Sequence, residues 1–209
     1  MSSLKPQRFH KKSAFYFILI ATLFITLFSC SKKDKWISVD PAYSKYIDAY
    51  TTGIVSKATS IRIQLSGQAN TTHTLGEEVK GDLFEFSPSV KGKATWVDAT
   101  TIEFKPDTYL KLNQLYEVKF ALAKVTKVPD KFSEFKFSIQ TVKPSFKITD
   151  NGLRSAGNKD KMVLTGEIET ADIEKGTEVE KLLTAAQDGK PIKVNWQHND
   201  AVRVHHFTI

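Results

Sequence analysis

From residue 47 to residue 142 the chain repeatedly alternates apolar and polar side chains with a period of two. Ser60–Leu65 is the cleanest run, with Ile61, Ile63 and Leu65 on one side and Arg62 and Gln64 on the other. Successive side chains of an extended strand point to opposite faces, so each run buries one face and wets the other. Similar runs cover 47–52, 83–86, 93–97, 101–105, 115–122 and 132–142, and they stop at Gly53, Ser87-Pro88, Asp98-Ala99-Thr100 and Pro144. Seven short strands in roughly a hundred residues predict an all-β chain, with an antiparallel β-sandwich over residues 40–143. Ala94 and Trp96 on one side, and Ile102 and Phe104 on the other, make apolar faces that can pair across a hairpin with its loop at 98–100.

Beyond Pro144 the pattern predicts a second β-rich domain, 144–209, with one short helix. Strands are expected at 145–149 and 162–168, with a turn at Asp150-Asn151-Gly152. Thr177 and Glu180 have the spacing of a capping box. Val179, Leu182, Leu183 and Ala186 follow at helical spacing, and Gly189 would close the helix. Strands at 192–196 and 202–209 should form a hairpin around His198-Asn199-Asp200. The sequence stops at Phe207-Thr208-Ile209, inside an apparent strand, so this domain is expected to be incomplete and the chain a fragment. A segment of about 65 residues is near the lower limit for a self-sufficient core without disulfides. It should therefore be less stable than residues 40–143.

The first 29 residues read as an export signal. Lys5, Arg8, Lys11 and Lys12 precede an uncharged apolar run from Ala14 to Phe28, which ends at Leu27-Phe28-Ser29-Cys30. That run falls short of the roughly twenty residues that span a bilayer. Leu-x-Ser-Cys has the form of a lipobox, in which the cysteine thiol is alkylated by a diacylglycerol. Cys30 is the only cysteine in the chain, so no internal disulfide is possible, and lipidation accounts for an unpaired thiol in an exported protein. Residues 30–39 should be a flexible tether joining the membrane-anchored Cys30 to the sandwich. Ser31 stands where an aspartate would favour the inner membrane, which points to the outer membrane. Setting the leader aside lowers the formal charge of +7 to about +3, and no block of like charges suggests nucleic-acid binding.

No residue pattern points to catalysis, a cofactor or a metal. The chain has no Gly-x-Ser-x-Gly, no phosphate-binding Gly-Lys-Ser loop and no His-Glu-x-x-His. His205 and His206 should face opposite sides of a strand, so they cannot share one metal. His198 can join one of them across the hairpin, but a third ligand is missing. Glu77-Glu78 and Glu178 to Glu180 are the nearest approach to paired carboxylates, and solvated or capping roles suit them better than a glycosidase pair. Trp96, Trp196 and Tyr116 sit in alternating apolar sets and should pack in cores.

Phe86-Ser87-Pro88, Gly92, Ala94-Thr95-Trp96-Val97-Asp98, Thr101-Ile102-Glu103-Phe104-Lys105-Pro106, Leu110-Lys111-Leu112 and Tyr116-Glu117-Val118 together resemble a bacterial Ig-like module. This form is similar to the first domain of bacterial alpha-2-macroglobulins, which are envelope lipoproteins. Glu178 to Leu183, Val194-Asn195-Trp196 and His206 to Ile209 resemble the domain that follows it in that family. The resemblance implies an Ig-like β-sandwich followed by a macroglobulin-type β domain. It also implies an amino-terminal scaffold role in a protease inhibitor, with target proteases engaged by the remainder of such a protein. Neither a bait segment nor the family's Cys-x-Glu-Gln thioester is present in these residues. The competing expectation is a stand-alone surface module that binds a glycan or an envelope protein, since Ig-like folds host many functions.

Overall fold

The computed structural model describes residues 36–209 except Thr71, Lys80 and residues 158–160. The export signal, Cys30 and residues 31–35 of the expected tether lie outside the described residues.

The first module contains strands β1 (Ile47–Tyr50), β2 (Gly53–Val55), β3 (Ile61–Leu65), β4 (Phe84–Ser87), β5 (Gly92–Trp96), β6 (Thr101–Pro106), β7 (Leu115–Phe120) and β8 (Phe135–Thr141). They form two four-stranded sheets, ordered β1-β3-β6-β5 and β2-β8-β7-β4. This is the strand order of an Ig-like sandwich. The alternation sets the layers. Ile61, Ile63 and Leu65 of β3 face Phe135, Phe137 and Ile139 of β8 in one buried cluster, which also holds Trp96, Ile102 and Phe120. Burying one such side chain contributes about 1.5–3 kcal/mol. Tyr116, near the start of β7, accepts a hydrogen bond at its hydroxyl from the Lys111 N–H at 3.0 Å. That bond ties the preceding loop to the strand, as a tyrosine corner does.

The strand expected at 47–52 is β1, and a further strand that was not expected, β2, begins at Gly53 in the opposite sheet. Gly53 takes φ +82 where the chain crosses between them, a conformation that side chains disfavour. The crossing lets β2 run parallel to β8, the one parallel pair among the described residues of the sandwich, while β1 pairs antiparallel with β3. The chain is anchored as early as Ile37, whose N–H donates to Ser138 Oγ on β8 at 3.1 Å. The β5–β6 hairpin pairs Ala94 with Phe104 and Trp96 with Ile102. Its turn is capped by Asp98, whose Oδ1 accepts from the N–H groups of Thr100 (2.8 Å) and Thr101 (2.7 Å). Those bonds hold the Asp98 carboxyl below its usual pKa.

The second module is one four-stranded sheet, β13-β14-β10-β9, with a small hairpin beside it. Its strands are β9 (Phe146–Ser155), β10 (Met162–Thr170), β11 (Ala185–Gln187), β12 (Lys190–Ile192), β13 (Asn195–Asn199) and β14 (Val204–Thr208). Register puts Ile148, Leu164, Ile168, His205, Phe207, Trp196 and His198 on one face. Among the described residues no helix is long and apolar enough to cross a membrane.

Three expectations for this module are corrected. Asp150-Asn151-Gly152 is not a turn but a bulge inside β9. Gly152 takes φ +73, and the register against β10 slips between Leu164 and Gly166. The helix is a single turn, α1 (Gly176–Val179), followed by a 3-10 turn at Glu180–Leu182. Its N-cap is Lys175, which makes no side-chain cap bond, so Thr177 forms no capping box. The helix cannot continue because Leu183 is extended and β11 pairs with β12 around Asp188 (φ +49) and Gly189 (φ +76). An Asp-Gly pair at positive φ suits a two-residue hairpin, and that pairing outweighs helical spacing here. Finally, His198 and Asn199 lie in β13, and the hairpin turns at Asp200–Val202 with Arg203 left-handed at φ +62.

Candidate functional site

The two modules meet at a polar clasp that centres on Asp172, which is only 6% exposed. The turn after β2 presents Ser56 and Lys57 to it. Asp172 Oδ1 accepts from the Ser56 hydroxyl (2.6 Å) and the Ile173 N–H (2.8 Å), and Oδ2 accepts from the Lys57 N–H (2.7 Å). Lys57 Nζ pairs with Glu174 Oε1 at 2.6 Å, with the two side chains 11% and 27% exposed. A buried carboxylate is costly unless hydrogen bonds compensate it, and here both oxygens are used. Secondary ties surround this pair. Ala171 N–H donates to Ser145 O at 2.9 Å, and Arg203 Nη1 donates to Ala171 O at 2.8 Å. The clasp fixes how β2 and the 170–174 segment lie against each other.

The second polar cluster is a chain of three side chains. His198 sits opposite His205 across the β13–β14 ladder. Their Nδ1 atoms are 3.0 Å apart, and His198 Nε2 is 3.0 Å from Glu180 Oε1. With His198 donating from Nε2 to Glu180, its Nδ1 accepts from the Nδ1–H of His205. His205 is fully buried, and its Nε2 has no hydrogen-bond partner among the described residues. Burial, and after it the neighbouring His198, lowers the His205 pKa, while Asp200 and Glu174 act in the opposite direction. Gly176 presses on the His198 ring, where a Cβ would lie 2.5 Å from Cγ and Cδ2.

The remaining sequence candidates have structural surroundings. His206 is exposed on the opposite face from His205. No group of three His, Cys, Asp or Glu among the described residues is placed to hold a metal ion. Glu77 accepts from Thr74, Glu78 pairs with Lys93 at 3.1 Å, and Glu178 pairs with Lys181 at 2.7 Å. Each carboxylate is thus tied to its own partner. Trp96 is in the sandwich core, 4% exposed, with His73 stacked on it at 3.6 Å. Tyr116 is buried, and Trp196 is half-buried against Phe207 and His198.

The apolar face of the second sheet is covered only in part. Ile168, Val179 and Phe207 form its buried cluster, and Leu164, Leu183, Val194, Trp196 and Ile209 pack half-exposed around it. Phe146 and Ile148 at the β9 edge are 49% and 43% exposed. A groove of about 410 Å³ opens beside them, floored by Leu112, Pro144, Phe146, Val179 and Leu182. Sequence reasoning missed both the clasp and the Glu180–His198–His205 chain, because their members are far apart in sequence. The one available signal was His198 lying across the hairpin from His205.

No protein-family model and no curated protein sequence matches the chain. Among solved structures it is similar to L,D-transpeptidase 3 from Mycobacterium tuberculosis in complex with a faropenem-derived adduct. That match has 12% identity and a TM-score of 0.33, over 50% of this chain and 40% of that chain. A second crystal structure of the same enzyme gives 14% identity and a TM-score of 0.32 over the same shares. An L,D-transpeptidase from M. tuberculosis H37Rv gives 11% and 0.35, over 75% of this chain and 60% of that chain. The chain thus spans between 40% and 60% of the length of these structures. Likenesses with TM-scores this low carry no argument about fold or activity.

Proposed function

We propose that the chain is the lipid-tethered, amino-terminal scaffold of an alpha-2-macroglobulin-like protease inhibitor, holding and spacing the trapping body at the cell envelope. The observation that carries this reading is the Asp172 clasp. Modules within a chain move relative to one another unless the interface between them is strong. A buried carboxylate that takes Ser56 and Lys57 from one module restricts that motion. Such rigidity suits a spacer. The resemblance of residues 86–118 and 178–209 to successive domains of that family, behind Cys30, supports the same reading. In it Cys30 carries the lipid at the outer membrane, and target proteases are met by parts of the protein beyond these residues.

An antibody raised against residues 36–209 tests the proposal on membranes of the source cells. The expected product partitions with detergent, is far larger than 23.5 kDa and changes its migration when a protease is added. A product no larger than this chain, unaffected by protease, overturns it.

A further inference from the structure

We propose that the His198–His205 contact is an acid-sensitive latch, which opens the β13–β14 hairpin away from the α1 segment when His205 takes up a proton. The geometry allows one proton fewer than two separate imidazoles would hold. The two Nδ1 atoms are 3.0 Å apart, a distance that requires one donor and one acceptor. His205 already donates its Nδ1–H to His198, so an added proton goes to His205 Nε2, which is buried and has no hydrogen-bond acceptor among the described residues. A charge there has nothing to compensate it, so the ring must leave its place and part from His198. His205 cannot turn its charge towards solvent, because it is fully buried beside Ile168 and Phe207.

Counter-charges near His205 do not remove the conflict. Glu180, on the 3-10 turn after α1, is bonded to the far nitrogen of His198. Asp200, at the hairpin turn, has Oδ1 3.8 Å from His205 Nδ1, beyond hydrogen-bond distance. Glu174 acts on His205 from the clasp segment, and His206 adds positive charge from the adjacent position of β14. From β10 the facing residue is the uncharged Ile168. The α1 segment depends on the same pair, since Gly176 rests on the His198 ring and Glu180 binds it. Separating the rings therefore frees both the hairpin and the segment that carries Val179. The Val179 segment covers the apolar face to which β13 and β14 contribute Trp196 and Phe207. The latch would thus expose that face under acid conditions, whichever protein the chain serves.

Hydrogen exchange on the full chain in detergent, at about pH 7.5 and about pH 5, reads this directly after correction for the intrinsic pH dependence of exchange. Amides of β13, β14 and residues 176–182 should open at least about tenfold more at the lower pH. Strands β3, β6, β7 and β8 should not change. His205→Phe should abolish the acid response, and His206→Phe should keep it. Equal protection at both pH values, or an acid response that survives His205→Phe, overturns the proposal. Should His205→Phe not fold, the imidazole signals of the unaltered chain decide. Titration of His205 with the hairpin's cross-strand contacts intact overturns the latch, and loss of those contacts along with the titration supports it.

Discussion

Replacing Asp172 with alanine should uncouple the two modules. The carboxylate satisfies three donors, the Ser56 hydroxyl and the N–H groups of Lys57 and Ile173. The hydroxyl can rotate to another partner, but the two backbone groups have fixed directions. Leaving a buried donor without an acceptor costs about 1–3 kcal/mol. Two such donors give about 2–6 kcal/mol. Water entering the space left by the carboxylate, and relief of the cost of burying the charge, reduce this to about 3 kcal/mol. With a urea slope of about 2 kcal/mol per molar, the midpoint should fall by about 1–2 M. With Trp36 replaced, variants that keep only Trp96, in the sandwich, or only Trp196, in the second sheet, report each module separately by fluorescence. The two signals should unfold together in the parent protein and apart in Asp172→Ala, with Trp196 first. Unchanged, coincident midpoints in Asp172→Ala would refute the claim that this carboxylate joins the modules.

Gly176→Ala places a methyl group 2.5 Å from the His198 ring, which the added helix propensity does not offset. A net loss of about 1–2 kcal/mol from the Trp196-reported transition is expected, with the Trp96 transition unmoved. Because the His205 pKa is lowered in the folded state, its contribution to stability is fully present above the unfolded value of about 6.5. That contribution is lost as pH falls from there through the folded value. Urea midpoints followed at Trp196 should therefore drop over that range, and less so in His205→Phe. Cys30→Ala should abolish incorporation of labelled fatty acid and release the protein from membranes, as labelling followed by fractionation would show. A glycan array tests the competing binding role. Saturable sugar binding that Trp196→Ala abolishes without unfolding would favour that role over the scaffold.

The sandwich was legible because each strand carries its own evidence. Ile61, Ile63 and Leu65 declare a buried face without reference to any partner, and Ser87-Pro88 and Asp98 mark turns by local chemistry. The corner at Gly53 was less legible. Gly53 reads as the end of a strand, and only the pairing partners reveal that the chain resumes there in the opposite sheet. In the second module local signals competed. Val179, Leu182, Leu183 and Ala186 have helical spacing, yet Asp188-Gly189 folds the same stretch back as a hairpin. Asp150-Asn151-Gly152 has turn chemistry, and β10 converts it into a bulge by pairing on both sides of it. The clasp was invisible because Ser56 and Asp172 are 116 positions apart and neither belongs to a motif. The histidine pair was half visible, since the hairpin placed His198 near His205, while Glu180 and Gly176 come from an element whose ending had to be seen.

The polar contacts of the second module compensate for something its sheet lacks. In the sandwich, eighteen buried apolar side chains among the described residues, from the two sheets and the segments that join them, enclose one another, and the outer faces need only solvated ion pairs such as Arg62–Glu103. The second sheet has no facing sheet among the described residues. Its two buried apolar side chains among the described residues, Ile168 and Phe207, are closed over by a single helical turn that carries Val179 and by the segment that follows it. A cover that small gains little from apolar burial, so its position rests on directed bonds. Glu180 and Gly176 seat it on His198, and Asp172 and Glu174 fasten its leading end to the sandwich. Directed bonds to titratable groups respond to pH and to single substitutions far more sharply than a distributed apolar core does. The same arrangement that holds the cover in place therefore makes it the part of the molecule most easily released, and what it uncovers is the apolar face beside Phe146 and Ile148.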